Sequence, residues 1–165
     1  NKFDRKKEII ITVGHLAEQI KSYLKFVHSD KRIKFIEIDK FSGKGSGPGY
    51  SLLQCKKELQ CPFVFAPIDT FLDKDVKLTV NNNWIGTVNI PKKESEKYCL
   101  INGKEKLESI YYGHGELAYN GIAGIYDYSD FWKELENSNL INNEYEVTSG
   151  FNGLENVELK YFENF

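Results

Sequence analysis

GKGSGPGYSLLQCKKELQCPFVFAPIDT, running from Gly43 to Thr70, decides how this chain is read. It opens with a loop holding Gly43, Gly45, Gly47 and Gly49, with Pro48 among them. Glycine lets backbone take positive φ and come close to a ligand. A helix is expected from about Tyr50, with Gln54 to Leu59 continuing it. Pro62 to Ile68 is an apolar run too short for an ordinary helix, so it reads as a central strand. Asp69 follows at its carboxyl end, the edge where open α/β sheets bind ligands. A lone carboxylate there suits a divalent cation beside a nucleotide phosphate. An aspartate that merely caps the Asp69-Thr70 turn, near a flexible loop, would give the same sequence.

The elements on either side give the fold class. Glu8 to Val13 is a near-continuous apolar run, as in a strand covered on both faces. After the Gly14-His15 turn, Leu16, Ile20, Tyr23, Leu24 and Val27 recur at helical spacing. Ile33, Phe35, Ile36 and Ile38 mark a second strand. This strand–helix alternation predicts an α/β fold with right-handed crossovers and a parallel sheet. Further on, Trp84–Ile90, Tyr98–Ile101, Leu107–Tyr112 and Ile122–Tyr128 read as short strands, with Asn102-Gly103 as a hairpin signal. Ser129 is expected to cap a helix whose apolar face holds Phe131, Trp132 and Leu135. Glu144 to Leu154 is read as another helix, and Val157 to Phe162 as a returning strand.

A chain of 165 residues suits one domain with a real core. Its 41% hydrophobic and 28% charged residues are ordinary for a globular protein. A net charge of −2 argues against nucleic acid as a partner. No apolar run is long enough to span a bilayer, so a membrane is not expected either. Cys55, Cys61 and Cys99 are odd in number and lack metal-type spacing, which points to reduced thiols and a cytoplasmic setting. Cys55 and Cys61 are read as small core residues. The absence of methionine suggests a chain trimmed at its start.

Four stretches, taken in order, resemble the sugar-nucleotide pyrophosphorylases and related nucleotidyltransferases. EIIITVGHLAEQIKSYL is similar to their second strand and helix, and GKGSGPGYSLLQCKKEL to their base-recognition loop. PFVFAPIDTF resembles the strand whose following aspartate binds Mg²⁺, and AYNGIAGIYDYSDFW the sugar-side strand and helix. The resemblance implies a three-layer, Rossmann-like fold of GT-A type, with a mixed, mainly parallel sheet and helices on both faces. It implies a Mg²⁺-dependent transfer of a nucleoside monophosphate from a nucleoside triphosphate to a sugar phosphate or other phosphorylated acceptor, with loss of pyrophosphate, in surface polysaccharide biosynthesis. On this reading Asp69 holds the metal, and Gly45, Ser46, Gly47, Pro48 and Gly49 read the base. Gly121 and Gly124 line the acceptor pocket, with Tyr126 packed beneath.

The departures shape the expectation too. The family's Gly-x-Gly-x-Arg loop and its Trp-x-Asp-x-Gly segment have no counterpart here, so residues 1–165 are expected to be a core domain incomplete at both ends. The family's Glu-Lys-Pro lysine would fall near Tyr111-Tyr112-Gly113, where there is no lysine. Lys104 and Lys106 are out of register, and His114 is the candidate replacement. Ile122 stands where the family has asparagine, so the acceptor need not be an ordinary hexose 1-phosphate. Asp127 and Asp130 are read as helix-start residues. Trp84 and Trp132 are read as core aromatics, and His15 as a locally bonded turn residue. Two other readings stay open: a nucleotide-sensing domain without turnover, and a metal-dependent glycosyltransferase, although Asp69-Thr70-Phe71 is not Asp-x-Asp. Base, acceptor and self-association into a homo-oligomer are not set by the sequence.

Overall fold

The computed structural model describes residues 7–70 and 78–162. The chain divides into two compact units, one formed by Asn1–Gln60 with Trp132–Asn152 and the other by Cys61–Phe131 with Gly153–Phe165.

In the first unit, β1 (Glu8–Val13) pairs in parallel with β2 (Arg32–Glu37), in register from Glu8↔Arg32 to Val13↔Glu37. Parallel neighbours need a long crossover, and α1 (Ala17–Val27) supplies it. Leu16 enters α1 at φ 57°. At Gly14 a β-carbon would stand 2.8 Å from the Phe41 ring, so only glycine fits the turn. Lys21 bridges the carboxylates of Glu18 and Glu37, tying α1 to β2.

Pro48 at the first helical position starts α2 (Pro48–Leu53) earlier than expected, and the helix also ends earlier. Residues 54 to 59 form tight turns instead, with Cys55 N–H bonded to Leu52 and Glu58 N–H to Cys55. Trp132 and Leu135, on α3 (Tyr128–Asn137), are buried, and the Trp132 indole donates to the Leu59 carbonyl at 3.0 Å. The helix expected at 144–154 is a 3-10 segment, Val147–Gly153, buried from Val147 to Phe151.

The second unit holds one sheet in the order β6 (Leu107–Tyr111), β5 (Leu100–Gly103), β7 (Leu117–Ile125), β4 (Trp84–Asn89) and β8 (Glu158–Tyr161), with β3 (Phe63–Phe65) also on β7. Its long member is β7 (Leu117–Ile125). Ala123 pairs with both Ile85 of β4 (Trp84–Asn89) and Phe65 of β3, so β7 lies between them. Near its start, Ala118 pairs with Leu100 of β5 (Leu100–Gly103). A core of Val88, Ile90, Leu100 and Ala118 forms around that crossing.

A mixed sheet is found, as expected, but its parallel part is small. Among the described strands the pairs β1–β2 and β4–β8 are parallel, whereas β3–β7, β4–β7, β5–β6 and β5–β7 are antiparallel. The parallel pairs are those with an α-helix in the intervening chain. The hairpin of β5 and β6 (Leu107–Tyr111) forms, yet Asn102-Gly103 is not its turn. Both residues pair within the ladder, with Gly103 at φ 147°, and the chain reverses over residues 104–106. Ser129 lies inside the first turn of α3, and Asp127 precedes the helix, its carbonyl accepting from Phe131 N–H at 3.2 Å. β8 (Glu158–Tyr161) returns close to expectation.

Candidate functional site

The strand before Asp69 is shorter than the apolar run suggests. It stops at Phe65, and Ala66-Pro67 carries the chain into a turn closed by Thr70 N–H to the Pro67 carbonyl at 3.4 Å. Proline lacks the amide that would extend the ladder. Asp69 therefore sits exposed on this turn, four residues past the strand.

The turn rests on the middle of β7. The Thr70 hydroxyl donates to the Asn120 carbonyl at 3.4 Å. Gly121 takes φ +90°, and a β-carbon there would stand 2.6 Å from Pro67 Cγ and 3.3 Å from Thr70 Oγ1. Gly121 is thus the seat of the Asp69 turn. Its carbonyl accepts from the Tyr119 hydroxyl at 2.8 Å, and the buried Asn120 side chain accepts from Ile122 N–H at 3.1 Å. These bonds lock the strand where the aspartate is presented.

Gly124 has a different role. It is buried, and a β-carbon on it would stand 2.1 Å from the Trp84 indole nitrogen. Its lack of a side chain is taken up by Trp84, not left open to a ligand. Tyr126 is 46% exposed and so does not pack beneath the glycines. His114 is exposed in the loop before β7, and Leu117 to Gly121 alone puts about 13 Å of strand between that loop and the Asp69 turn.

The glycine loop lies in the first unit and is largely self-contained there. Gly45 N–H donates to the Asn143 carbonyl at 2.7 Å and Gly49 N–H to Tyr145 at 2.8 Å, while Tyr145 N–H donates to Ser46 at 2.8 Å. The Ser46 hydroxyl closes on the Gly43 carbonyl at 2.6 Å. Gly45, Ser46 and Gly49 are buried, and Gly47, at φ +112°, would place a β-carbon 2.7 Å from the Tyr145 carbonyl. Much of the polar backbone that a base edge could use is paired inside the unit. Pro48 is exposed. Beside the loop, the Tyr50 hydroxyl donates to Asp39 at 2.6 Å, and that bond holds the Asp39 carboxyl below its usual range and raises the Tyr50 phenol. Burial, with Glu144 adding, pushes the Glu146 carboxyl up.

Asn83 escaped the sequence reading, where it is the end of a loop-like asparagine run. It is 3% exposed. Its carbonyl oxygen accepts from Tyr126 and Asp127 N–H at 2.8 and 3.0 Å, and its amide donates to the Asp127 carboxylate at 2.6 Å. It fixes the passage from β7 into α3. A polar residue directly before a buried strand is the only sequence signal of that role.

For a metal, the described residues contain no cluster of three or more His, Cys, Asp or Glu side chains. A single exposed carboxylate is nonetheless a fitting donor for Mg²⁺ carried by phosphates, since that ion keeps several waters and takes one or two protein carboxylates. Asp69 fits this use. Among the described residues, no helix is long and apolar enough to cross a membrane.

No family model matches this sequence, and no curated protein matches it. Solved structures do match. UDP-glucose pyrophosphorylase complexed with UDP-glucose superposes with a TM-score of 0.79 at 14% identity, over 96% of this chain and 74% of that one. The nucleoside-diphosphate-sugar pyrophosphorylase from Vibrio cholerae gives 0.72 at 12% identity, over 96% and 74%. CTP:phosphocholine cytidylyltransferase from Streptococcus pneumoniae gives 0.67 at 19% identity, over 95% and 70%. The chain has the Rossmann-like fold of the sugar-nucleotide pyrophosphorylases and related nucleotidyltransferases.

Proposed function

We propose that this protein is a nucleotidyltransferase that joins a nucleoside monophosphate, taken from a nucleoside triphosphate, to a phosphorylated acceptor. A phosphate oxygen of the acceptor attacks the α-phosphorus, the bond to the β-phosphate breaks, and pyrophosphate leaves. Reactions of this kind depend on positioning and charge neutralisation more than on a protein nucleophile. The observation that carries the reading is the exposed Asp69, held on its turn by Thr70 and Gly121 in a chain of this fold. Asp69 is the residue that would hold Mg²⁺, which neutralises phosphate charge when bound. Pro67, Thr70 and Gly121 keep the carboxylate presented while the phosphates change partners.

The acceptor is a sugar phosphate or a phosphoamino-alcohol, two classes supported by what the matching structures are named for. A role in surface polysaccharide assembly follows from the sugar-phosphate choice. The test is product analysis: the protein is incubated with each nucleoside triphosphate, Mg²⁺, and either glucose 1-phosphate or phosphocholine. A nucleoside diphosphate joined to glucose or choline, identified by mass together with pyrophosphate, supports the reading. Nucleotide binding without any such product favours the nucleotide-sensing alternative.

A further inference from the structure

The face of β4, β7 and β8 around Trp84 carries two nitrogen donors with no role so far. The first is Lys160 on β8. Its register partner is Gly86, and its ammonium lies 4.2 Å from the centre of the Trp84 ring. The second is Asn120. A β-carbon on Gly86 would stand 2.2 Å from Asn120 Oδ1 and 2.9 Å from Nδ2, so the amide occupies the space above that glycine. In a parallel ladder, register partners project to the same face. Lys160 and the Asn120 amide thus share a face, separated by one glycine.

Neither donor is spent. Asn120 is 2% exposed, and its Oδ1 is taken by Ile122 N–H, but its Nδ2 meets no acceptor among the described residues. Lys160 is half-buried and makes no ion pair among the described residues. An ammonium has three hydrogens, and contact with an indole face leaves donors to spare. Burial lowers the pKa of Lys160, and only Glu158, two residues away, opposes that. Placing a phosphate beside the ammonium would supply the counter-charge it lacks. On the same stretch of β7, Asn120 and Gly121 carry the Asp69 turn.

We propose that Lys160 and the Asn120 amide form the seat for the acceptor's phosphate monoester. The proposal rests on the nucleotidyltransferase reading for the word acceptor, and on the geometry alone for the phosphate. It also gives a source for the positive charge that the Tyr111-Tyr112-Gly113 stretch lacks. Lysine acts here as a point charge, suited to a tetrahedral phosphate.

The experiment is a binding titration followed through the Trp84 indole, in a Trp132→Phe background so that one tryptophan reports. Glucose 1-phosphate, phosphocholine and inorganic phosphate are titrated separately, with glucose as the uncharged control and UTP and CTP as the triphosphate arm. Lys160→Met keeps the alkyl stem over the indole and should weaken monophosphate binding by about tenfold or more, with triphosphate affinity held within about twofold. Lys160→Arg should keep most of the affinity. If Lys160→Met does not fold, Asn120→Asp against Lys160→Arg carries the same comparison, with loss expected only for the first. Equal monophosphate affinity in Lys160→Met and wild type overturns the proposal. So does a loss shared equally by triphosphates, or the absence of any monophosphate signal in the wild type. Monophosphate binding through Lys160 without nucleotide transfer would overturn the reaction and keep the seat. Transfer with Lys160-independent monophosphate affinity would overturn the seat alone.

Discussion

Gly124 lies against Trp84 so closely that a β-carbon at residue 124 would stand 2.1 Å from the indole nitrogen. The indole itself is fixed by a hydrogen bond to the Thr79 carbonyl at 2.8 Å, so it has little room to yield. Gly124→Ala should therefore destabilise the fold by roughly 2 to 3 kcal/mol, the cost of overpacking a close-packed core. Urea unfolding followed by tryptophan emission measures this. Native stability with altered ligand affinity would return Gly124 to the ligand site.

Gly47 and Gly43 should part ways. Both have positive φ, +112° and +83°, but only Gly47 faces a wall, the Tyr145 carbonyl at 2.7 Å, while nothing lies within 4 Å of a β-carbon at Gly43. Gly47→Val should cost about 3 kcal/mol or more through clash and backbone strain. Gly43→Ala should cost about 1 kcal/mol, the strain alone. The pair is read by thermal unfolding. Equal losses would show that the loop is not packed on residues 143–146.

Asn83 is satisfied on both sides of its amide, accepting two backbone N–H bonds and donating to Asp127. Asn83→Ala removes the partner of two backbone N–H groups and of the Asp127 carboxylate, at a cost of about 1 to 2 kcal/mol. Amide hydrogen exchange at Tyr126 and Asp127 should quicken while that of β7 stays slow. Uniform exchange would contradict the local role.

The thiols should react in a fixed order. Cys61 is exposed, against the expectation of a core residue, and Cys55 is buried. Burial, with Glu58 adding, pushes the Cys55 thiol up to about 11 from its ordinary 9.0. At pH 8 a disulfide reagent should label Cys61 quickly and leave Cys55 until the protein unfolds. Because the folded pKa lies above the unfolded one, the stability tied to Cys55 is intact below pH 9 and is lost as pH rises from 9 towards 11. Peptide mapping after brief labelling, and a stability series across that window for wild type and Cys55→Ala, test both points. Equal labelling of the two thiols would contradict the first, and identical pH slopes the second.

The sequence carried the strands and helices well where side-chain pattern governs them. EIIITV, the Leu16-to-Val27 spacing and WIGTVNI became β1, α1 and β4 because apolar period is set by the element itself. It misled where a local signal met a tertiary demand. Asn102-Gly103 has hairpin chemistry, but the ladder extends through it because β6 supplies partners as far as Leu107. Four glycines suggested an open loop, yet the chain at 143–145, remote in sequence, packs on it. Asp69 and Gly121 were legible as candidates, and their neighbourhood through Pro67 and Thr70 was not, because it depends on β3 and β7 pairing. Asn83, Asn120 and Lys160 carry no motif at all. Their roles come from what lies across the sheet.

Nucleotide transfer by this protein depends most directly on Asp69. The measurement is Mg²⁺-dependent pyrophosphate release by wild type and Asp69→Asn, with a panel of nucleoside triphosphates and acceptor phosphates, and with folding checked by circular dichroism. The account predicts turnover by the wild type and a loss of about a hundredfold or more in the variant, with the fold unchanged, as when a charge-stabilising group is removed from a transfer site. Equal turnover by a well-folded Asp69→Asn variant would contradict it.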